Sequence, residues 1–112
     1  MAKYAYFFTY SSEAWARMIQ NPGDRTAAIR QLTDALGGSV ESVHWMFGPF
    51  DGMVIADLPD AEAAAALSVA VGSSGSFKQL ATHELFDSEQ LGEMLSRARQ
   101  ASAAYQAPGQ QG

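Results

Sequence analysis

The sequence contains no cysteine among its 112 residues. This absence excludes disulfide bonds, a thiolate nucleophile, zinc sites with cysteine ligands and cysteine-bound iron–sulfur clusters. Because 47% of the residues are hydrophobic, the chain can form a single core without such cross-links. A small domain that is stable without disulfides is typical of the cytoplasm, which is the location we predict.

Basic residues and long apolar runs are also scarce. Seven Lys and Arg stand against twelve Asp and Glu, which gives a formal net charge of −5. Such a chain repels phosphate backbones, so we predict no nucleic-acid partner. No apolar run approaches the roughly 20 residues that span a bilayer, and the first ten residues alternate like a strand. We therefore predict no membrane partner.

Four segments have the composition and alternation of strands. They are KYAYFFTY (Lys3–Tyr10), SVESVHWMF (Ser39–Phe47), GMVIADL (Gly52–Leu58) and SFKQLATHELF (Ser76–Phe86). The helical segments lie between and after them. They are SSEAWARMIQ, the segment that follows Asn21 and ends at Gly37-Gly38, PDAEAAAALSVAVG, and DSEQLGEMLSRARQASA.

Capping residues mark where these helices begin. Ser11 or Ser12 is placed to cap the first, and Asp60 and Asp87 are placed to cap the last two. For the second helix we predict that Asn21 is the cap, Pro22 takes the first turn and Asp24 closes a capping box.

The predicted order is β-α-β-β-α-β with an extra C-terminal helix. This is the ferredoxin-like α+β plan, in which the first and third strands are central and the second and fourth are edges. We predict one domain over residues 1–104. Residues 105–112 have little to bury and are expected to be a disordered tail.

The predicted sheet carries apolar side chains on both faces. Phe7 lies opposite the tyrosines of the first strand, Val40 and Met46 are placed opposite Val43, and the third strand is almost continuously apolar. A sheet of this kind needs a cover on the face away from the helices. We therefore predict a homo-oligomer that forms through the open face, of the dimeric α+β barrel type.

A hairpin motif, FGPFDGMV, joins the second and third strands. Its Gly-Pro and Asp-Gly pairs are strong turn formers. Asp51 has two interpretations. It could accept hydrogen bonds from backbone N–H groups of its own turn, or it could be a carboxylate at the rim of a pocket, acting as a base or polar anchor.

At this motif the chain resembles the GYD-domain family of small bacterial proteins, which takes its name from a Gly-x-Tyr-Asp turn. Here the turn motif is Gly48-Pro49-Phe50-Asp51, with Phe50 in the place of tyrosine. The passages ALGGSV, ADLPDAEAAAAL and GSSG add to the similarity, which covers roughly residues 3–95. The resemblance implies a ferredoxin-like domain of the dimeric α+β barrel type, with no established biochemical role. A mechanism that uses the tyrosine hydroxyl is in doubt for this chain.

The remaining candidates are histidines and tyrosines. His44 and His83 are predicted on opposite edges of the sheet, too far apart within one subunit to share a metal, and we predict no metal site and no evident cofactor. Either histidine could be a packed structural residue, and His44 could also act as a base or haem ligand. Tyr4, Tyr6 and Tyr10 form a row that could line a cavity on the open face or an aromatic interface with a partner.

These features leave three functional hypotheses. We favour a small-molecule-binding or accessory protein with Asp51, His44, Tyr4 and Tyr6 as ligand-binding candidates. The second hypothesis is an enzyme of the kind that dimeric α+β barrels host, such as a cofactor-independent oxygenase, an isomerase or a haem-using protein, and it depends on fold analogy. The third is a structural or protein-interaction module without a pocket.

Overall fold

The computed structural model describes residues 1–109 as four strands and four helices. Residues 110–112 of the predicted tail lie outside the described residues. The elements are β1 (Ala2–Tyr10), α1 (Ser12–Gln20), α2 (Arg25–Ala35), β2 (Ser39–Trp45), β3 (Gly52–Leu58), α3 (Ala61–Gly72), β4 (Phe77–Leu85) and α4 (Ser88–Ala104).

The strands form one antiparallel sheet in the order β2-β3-β1-β4. This order confirms the ferredoxin-like prediction, with the first and third strands in the centre and an additional C-terminal helix. Helices α2 and α3 pack on one face of the sheet and contribute to its core. The other face, which we call the open face, has no helix of the core on it.

Alternate residues of the two central strands form the core. On β1 they are the aromatic residues Tyr4, Tyr6, Phe8 and Tyr10, each only 4–5% exposed. On β3, Val54, Ala56 and Leu58 point the same way and are buried. Since successive strand residues point to opposite faces, this one set of alternating positions decides which side of the sheet the helices cover.

The start of α2 differs from the prediction. Asn21 does not cap this helix; it ends α1, where its N–H donates to the carbonyl of Arg17. Asp24 is the cap and accepts a hydrogen bond from the N–H of Ala27 at 3.0 Å. The later start keeps Gly23 out of the helix, where it would cost about 1 kcal/mol, and Asp caps as well as Asn.

The end of α2 follows the prediction. Gly37 adopts a left-handed conformation with φ +80°, and its N–H donates to the carbonyl of Asp34. The N–H of Gly38 donates to the carbonyl of Thr33. These two bonds form a Schellman motif, which favours glycine at the left-handed position.

A bulge in β2 overturns the predicted facing of Val40. The register shifts between Val40 and Ser42, so that Val40 pairs with Ala56 and Val43 pairs with Val54. Both valines therefore face the helices, because the bulge adds one residue to the alternation. On the open face, β2 carries Ser42 and His44 instead. The apolar area of the open face is therefore confined to the two central strands and part of β4.

Helix α4 projects away from the rest of the domain. Asp87 and Gln90 form the predicted capping box at its start, yet none of its residues is buried. The molecule is accordingly elongated, with principal extents of 64 × 31 × 23 Å. Over residues 1–109, no helix has both the length and the hydrophobicity needed to cross a bilayer.

Replacing Gly52 by alanine tests the packing of the central strands. A Cβ at this position would lie 2.3 Å from the ring of Phe8, which is itself held by edge contacts with Trp45 and Phe77. We expect Gly52→Ala to lower the free energy of unfolding by about 1–3 kcal/mol, because the ring has no room to move. The control is Gly92→Ala on α4, where a Cβ meets nothing within 4 Å. It should raise helix stability by about 0.5–1 kcal/mol. Urea denaturation measures both, and equal effects would contradict the packing.

Candidate functional site

The tyrosine row of β1 faces the helices, so its predicted position on the open face is wrong. The hydroxyl of Tyr6 donates a hydrogen bond of 2.9 Å to the carbonyl of Ala64 on α3. Burial raises the pKa of Tyr6 to about 12, with a smaller contribution from Tyr4. Tyr6 is therefore neutral at physiological pH and keeps the proton that it donates.

A cavity of about 260 Å³ lies between the sheet and helices α2 and α3. Its wall is mostly apolar, and its polar members are Tyr10, Arg25, Thr33, Ser74 and Ser76. The apolar wall comes from the strands and from both helices. It consists of Phe8, Val54, Phe77 and Leu80 from the sheet, Ala28, Ile29 and Leu32 from α2, and Leu67, Ala70 and Val71 from α3, with Tyr6 beside them.

Tyr10 and Arg25 form the solvent end of this cavity. Arg25 is exposed, and both residues also line two shallower depressions of about 500 and 520 Å³. Burial raises the pKa of Tyr10, although the nearby positive charge of the Arg25 guanidinium acts in the opposite direction. A buried phenol and an exposed cation therefore meet where the three spaces join.

Asp51 forms hydrogen bonds to β1, to α1 and to the end of β2, beside Tyr10. Its carboxylate accepts hydrogen bonds from the backbone N–H of Tyr10 at 2.9 Å and from the indole N–H of Trp15 at 3.1 Å. Its own N–H donates to the carbonyl of Phe8, and its carbonyl accepts from the N–H of Met46. The predicted bonds to its own turn are not the ones the carboxylate makes: it holds the end of β1 and the start of α1.

An aromatic cluster surrounds this junction. The ring of Tyr10 stacks on Phe77 and Trp45, with centroids 5.1 and 6.2 Å apart, and meets Trp15 edge-on at 5.2 Å. Trp15 and Trp45 are 41% and 49% exposed, so one side of the cluster is open to solvent. Such rings combine apolar contact area with a defined orientation.

The aromatic side chain of the turn lies on the open face of the sheet. Gly48 has φ +145°, and the carbonyl of Pro49 accepts a hydrogen bond from the hydroxyl of Thr9 at 2.8 Å. The ring of Phe50 packs on Phe7, with centroids 5.5 Å apart. Phe7 belongs to the open face, so the aromatic residue of this turn covers that face and does not line the cavity.

The structure separates the four predicted ligand-binding residues. Tyr6 lines the cavity, and Asp51 lines one of the adjoining depressions. Tyr4 is buried against the helix layer beyond these spaces, and His44 is exposed on the open face of β2. The two histidines do lie on opposite edge strands, as predicted, and His83 meets Phe7 edge-on. Within residues 1–109 no three of His, Cys, Asp and Glu are grouped as a metal ion would require.

Sequence reasoning missed Arg25 and Trp15. Trp15 belongs to the first helical segment, SSEAWARMIQ, where an aromatic residue normally means core packing. Arg25 had a detectable signal, since it is the first residue of α2 and a cation at a helix N-terminus is disfavoured by the macrodipole. A basic residue at that position is a reason to look for another role.

The fold and the cavity define a ferredoxin-like α+β domain with an internal space between its sheet and its helices. Within that class, the chain belongs to the GYD domain family, whose model matches residues 4–95. The match contains the hairpin and Asp51 and ends inside α4. No curated protein sequence matches the chain.

Solved structures resemble this chain at low sequence identity. The crystal structure of TTHA0845 from Thermus thermophilus has a TM-score of 0.52 and 17% identity, covering 79% of this chain and 96% of that one. The crystal structure of FFRP-DM1 has a TM-score of 0.48 and 9% identity, covering 77% of this chain and 100% of that one. The crystal structure of PHS023, a hypothetical protein from Pyrococcus horikoshii, has a TM-score of 0.49 and 8% identity. The match covers 78% of this chain and 92% of that one.

Removing the Asp51 carboxylate tests its role at the junction. We expect Asp51→Ala to lower the free energy of unfolding by about 1–3 kcal/mol, because the N–H of Tyr10 loses its acceptor in a partly buried setting. The emission of the tryptophans should also shift as the Trp15 indole is released.

The matched control is Asp34→Ala, since Asp34 is an exposed residue near the end of α2. It should change stability by less than about 0.5 kcal/mol. Thermal unfolding followed by tryptophan fluorescence measures both effects, and identical behaviour of the two variants would contradict the role given to Asp51.

Proposed function

We propose that the protein binds a small, mainly apolar molecule with an anionic group, in the cavity between the sheet and helices α2 and α3. The observation that carries this proposal is the 260 Å³ space with apolar walls and a single cationic side chain, Arg25, at its solvent end. Ligand sites commonly combine apolar walls with a few polar groups that orient the ligand.

The walls favour an apolar ligand body. Three hydroxyl groups of the lining are already bonded within the protein, since Tyr6 donates to Ala64, Thr33 donates to Ile29 and Ser74 donates to Val71. Burying a polar ligand group beside these walls would leave that group without a partner, which costs at least about 1–3 kcal/mol. The ligand part that enters the cavity should therefore be hydrocarbon or aromatic.

Arg25 supplies the polar end. In the described part of the chain the ion pairs are those of Lys3 with Glu41 and Asp57, so the Arg25 guanidinium is not neutralised by a carboxylate there. A guanidinium binds carboxylate and phosphate groups through paired N–H donors. Tyr10 and Asp51 assist by fixing the aromatic wall next to it.

Two of the four predicted ligand-binding residues have a part in the proposed site. Tyr6 is part of the wall, and Asp51 positions Tyr10 at the opening. His44 and Tyr4 have no place in this proposal, because neither lines the cavity or the depressions beside it.

The test uses two fluorescent probes of similar shape. They are 1-anilinonaphthalene-8-sulfonate, which is an apolar anion, and N-phenyl-1-naphthylamine, which is uncharged. Replacing Arg25 by glutamine should weaken binding of the anion up to about 5-fold, because an exposed ion pair contributes at most about 1 kcal/mol. Binding of the uncharged probe should change less than about twofold.

Arg30→Gln is the matched control, because Arg30 is exposed on the same helix and lines none of the three spaces. It should leave both affinities unchanged. Equal weakening by the two variants would indicate non-specific charge attraction and contradict the proposed site. Native mass spectrometry of the purified protein then identifies any ligand retained from the cell.

We also propose that the domain assembles through its open face. The apolar centre of this face consists of Phe7, Met53 and Ile55, which are half-buried in the single chain, with Ala81 and Leu85 beside them. Lys3, Asp57 and His44 form part of a polar rim around it. An apolar centre with a polar rim is the usual composition of a subunit interface.

A lysine at the centre of the open face should abolish this assembly. We expect Ile55→Lys to sediment as a monomer at micromolar concentration, where the unmodified protein sediments as a larger species, because an unpaired charge would be buried in the contact. Ala65→Lys adds the same charge on the exposed surface of α3 and should not change the sedimentation coefficient. A monomeric unmodified protein, or a variant that assembles normally, would contradict assembly through this face.

A further inference from the structure

The depression that contains Asp51 is lined by exposed aromatic rings that do not line the cavity. It measures about 500 Å³ and includes Trp15 and Trp45, which are 41% and 49% exposed, and the fully exposed ring of Phe47. These two are the only tryptophans of the chain. Large aromatic side chains left open around one concave space are typical of a ligand-binding surface.

The two indole rings are held in fixed and different orientations. The ring of Trp45 lies nearly parallel to that of Tyr10, at 20°, whereas the ring of Trp15 meets Tyr10 at 74°. The indole N–H of Trp15 is also bonded to Asp51. The two indoles therefore form adjoining walls of a corner, where a planar ring can stack on one wall and meet the other edge-on. An aliphatic group would gain nothing from these orientations.

Asp51 offers a hydrogen-bond acceptor beside this corner. The N–H groups of Tyr10 and Trp15 both donate to the same carboxylate oxygen, Oδ2. Within residues 1–109 the other oxygen, Oδ1, accepts no hydrogen bond. A carboxylate has lone pairs for about four hydrogen bonds. Asp51 can therefore accept a further hydrogen bond from a ligand N–H group.

Arg25 brings the opposite charge to the same depression. Its side chain is exposed, and in the described part of the chain it forms no ion pair with Asp51. Two opposite charges that face one space without pairing can be bridged by a molecule with an N–H donor at one end and an anionic group at the other. Arg25 also lines the cavity, so the anionic group would lie where the two spaces join.

We propose that the ligand carries a planar ring with an N–H donor, as an aromatic amine or a nitrogen heterocycle does, and that this ring occupies the corner between Trp15 and Trp45. The ring N–H donates to Oδ1 of Asp51, and the anionic substituent binds Arg25. This ring site rests on the proposed function, because it shares the anionic group held by Arg25, and it adds the chemical class of the ligand.

Three anions of different shape separate the ring site from the cavity. Indole-3-acetate has a planar ring with an N–H donor, 1-naphthaleneacetate has a planar ring without one, and octanoate has no ring. ¹H–¹⁵N NMR titrations follow the two tryptophan indole signals for the depression and the amide of Ala70 for the cavity. We expect both ring compounds to shift the indole signals, and octanoate to shift the signal of Ala70.

The Asp51→Asn variant tests the N–H contact. Its amide oxygen can still accept from the N–H groups of Tyr10 and Trp15, but its NH₂ group, a donor, then replaces Oδ1. The variant should weaken indole-3-acetate at least about threefold, because the ring N–H loses its acceptor. The affinity for 1-naphthaleneacetate should change less than about 1.5-fold.

The Trp15→Leu variant tests the corner, with the indole signal of Trp45 as the reporter. It should weaken both ring compounds at least about threefold, because one aromatic wall is lost, and octanoate less than about 1.5-fold. Ile19→Ala is the matched control, since Ile19 is 77% exposed on the same helix and lines none of the three spaces. It should change no affinity.

Equal weakening of the two ring compounds by Asp51→Asn would overturn the N–H contact, and unchanged ring affinities in Trp15→Leu would overturn the ring site. If Arg25→Gln weakens octanoate while indole-3-acetate leaves both indole signals unshifted, the ring site is wrong and the proposed function stands. If Arg25→Gln weakens neither octanoate nor indole-3-acetate, both proposals are wrong.

Discussion

The row of aromatic side chains on β1 is the constraint on which the rest of the structure depends. Because β1 is central in the sheet, four wide rings lie side by side against the helix layer, and α2 and α3 pack across them. Aromatic rings are larger than the side chains of alanine or valine, so they hold the helices further from the sheet. The cavity lies within this layer, bounded by Tyr6, Phe8 and Tyr10.

Asp51 connects this row to the opening of the cavity. Its carboxylate fixes Tyr10 and Trp15, while the neighbouring Phe50 packs on the opposite face of the sheet. Asp51 and Phe50 of the turn therefore make their contacts on opposite faces of the sheet. The hydrogen bonds of the Asp51 carboxylate go to Tyr10 and Trp15 and do not involve the side chain at position 50.

Local signals in the sequence were sufficient for most of the fold. Strand alternation, the caps at Asp60 and Asp87, and Gly37 at the end of α2 each act within a few residues, so the pattern alone indicates them. The bulge near Val40 arises from pairing with β3, and no local signal marked it. The side of the sheet that Tyr6 faces depends on helix packing, and the pairing of Asp51 with Trp15 spans 36 residues. The candidate site consists of such distant contacts, which explains why sequence predicted some of its residues but not their arrangement.

The most direct test of the binding cavity is a ¹H–¹⁵N NMR titration of the uniformly labelled protein with 1-anilinonaphthalene-8-sulfonate. Saturable shifts should concentrate on residues 25–33 of α2, residues 67–76 at the end of α3 and the helix-facing positions of β1. Shifts confined to the open face, around Phe7 and Ile55, or to α4 would place the ligand elsewhere. That result would contradict a binding site between the sheet and the helices.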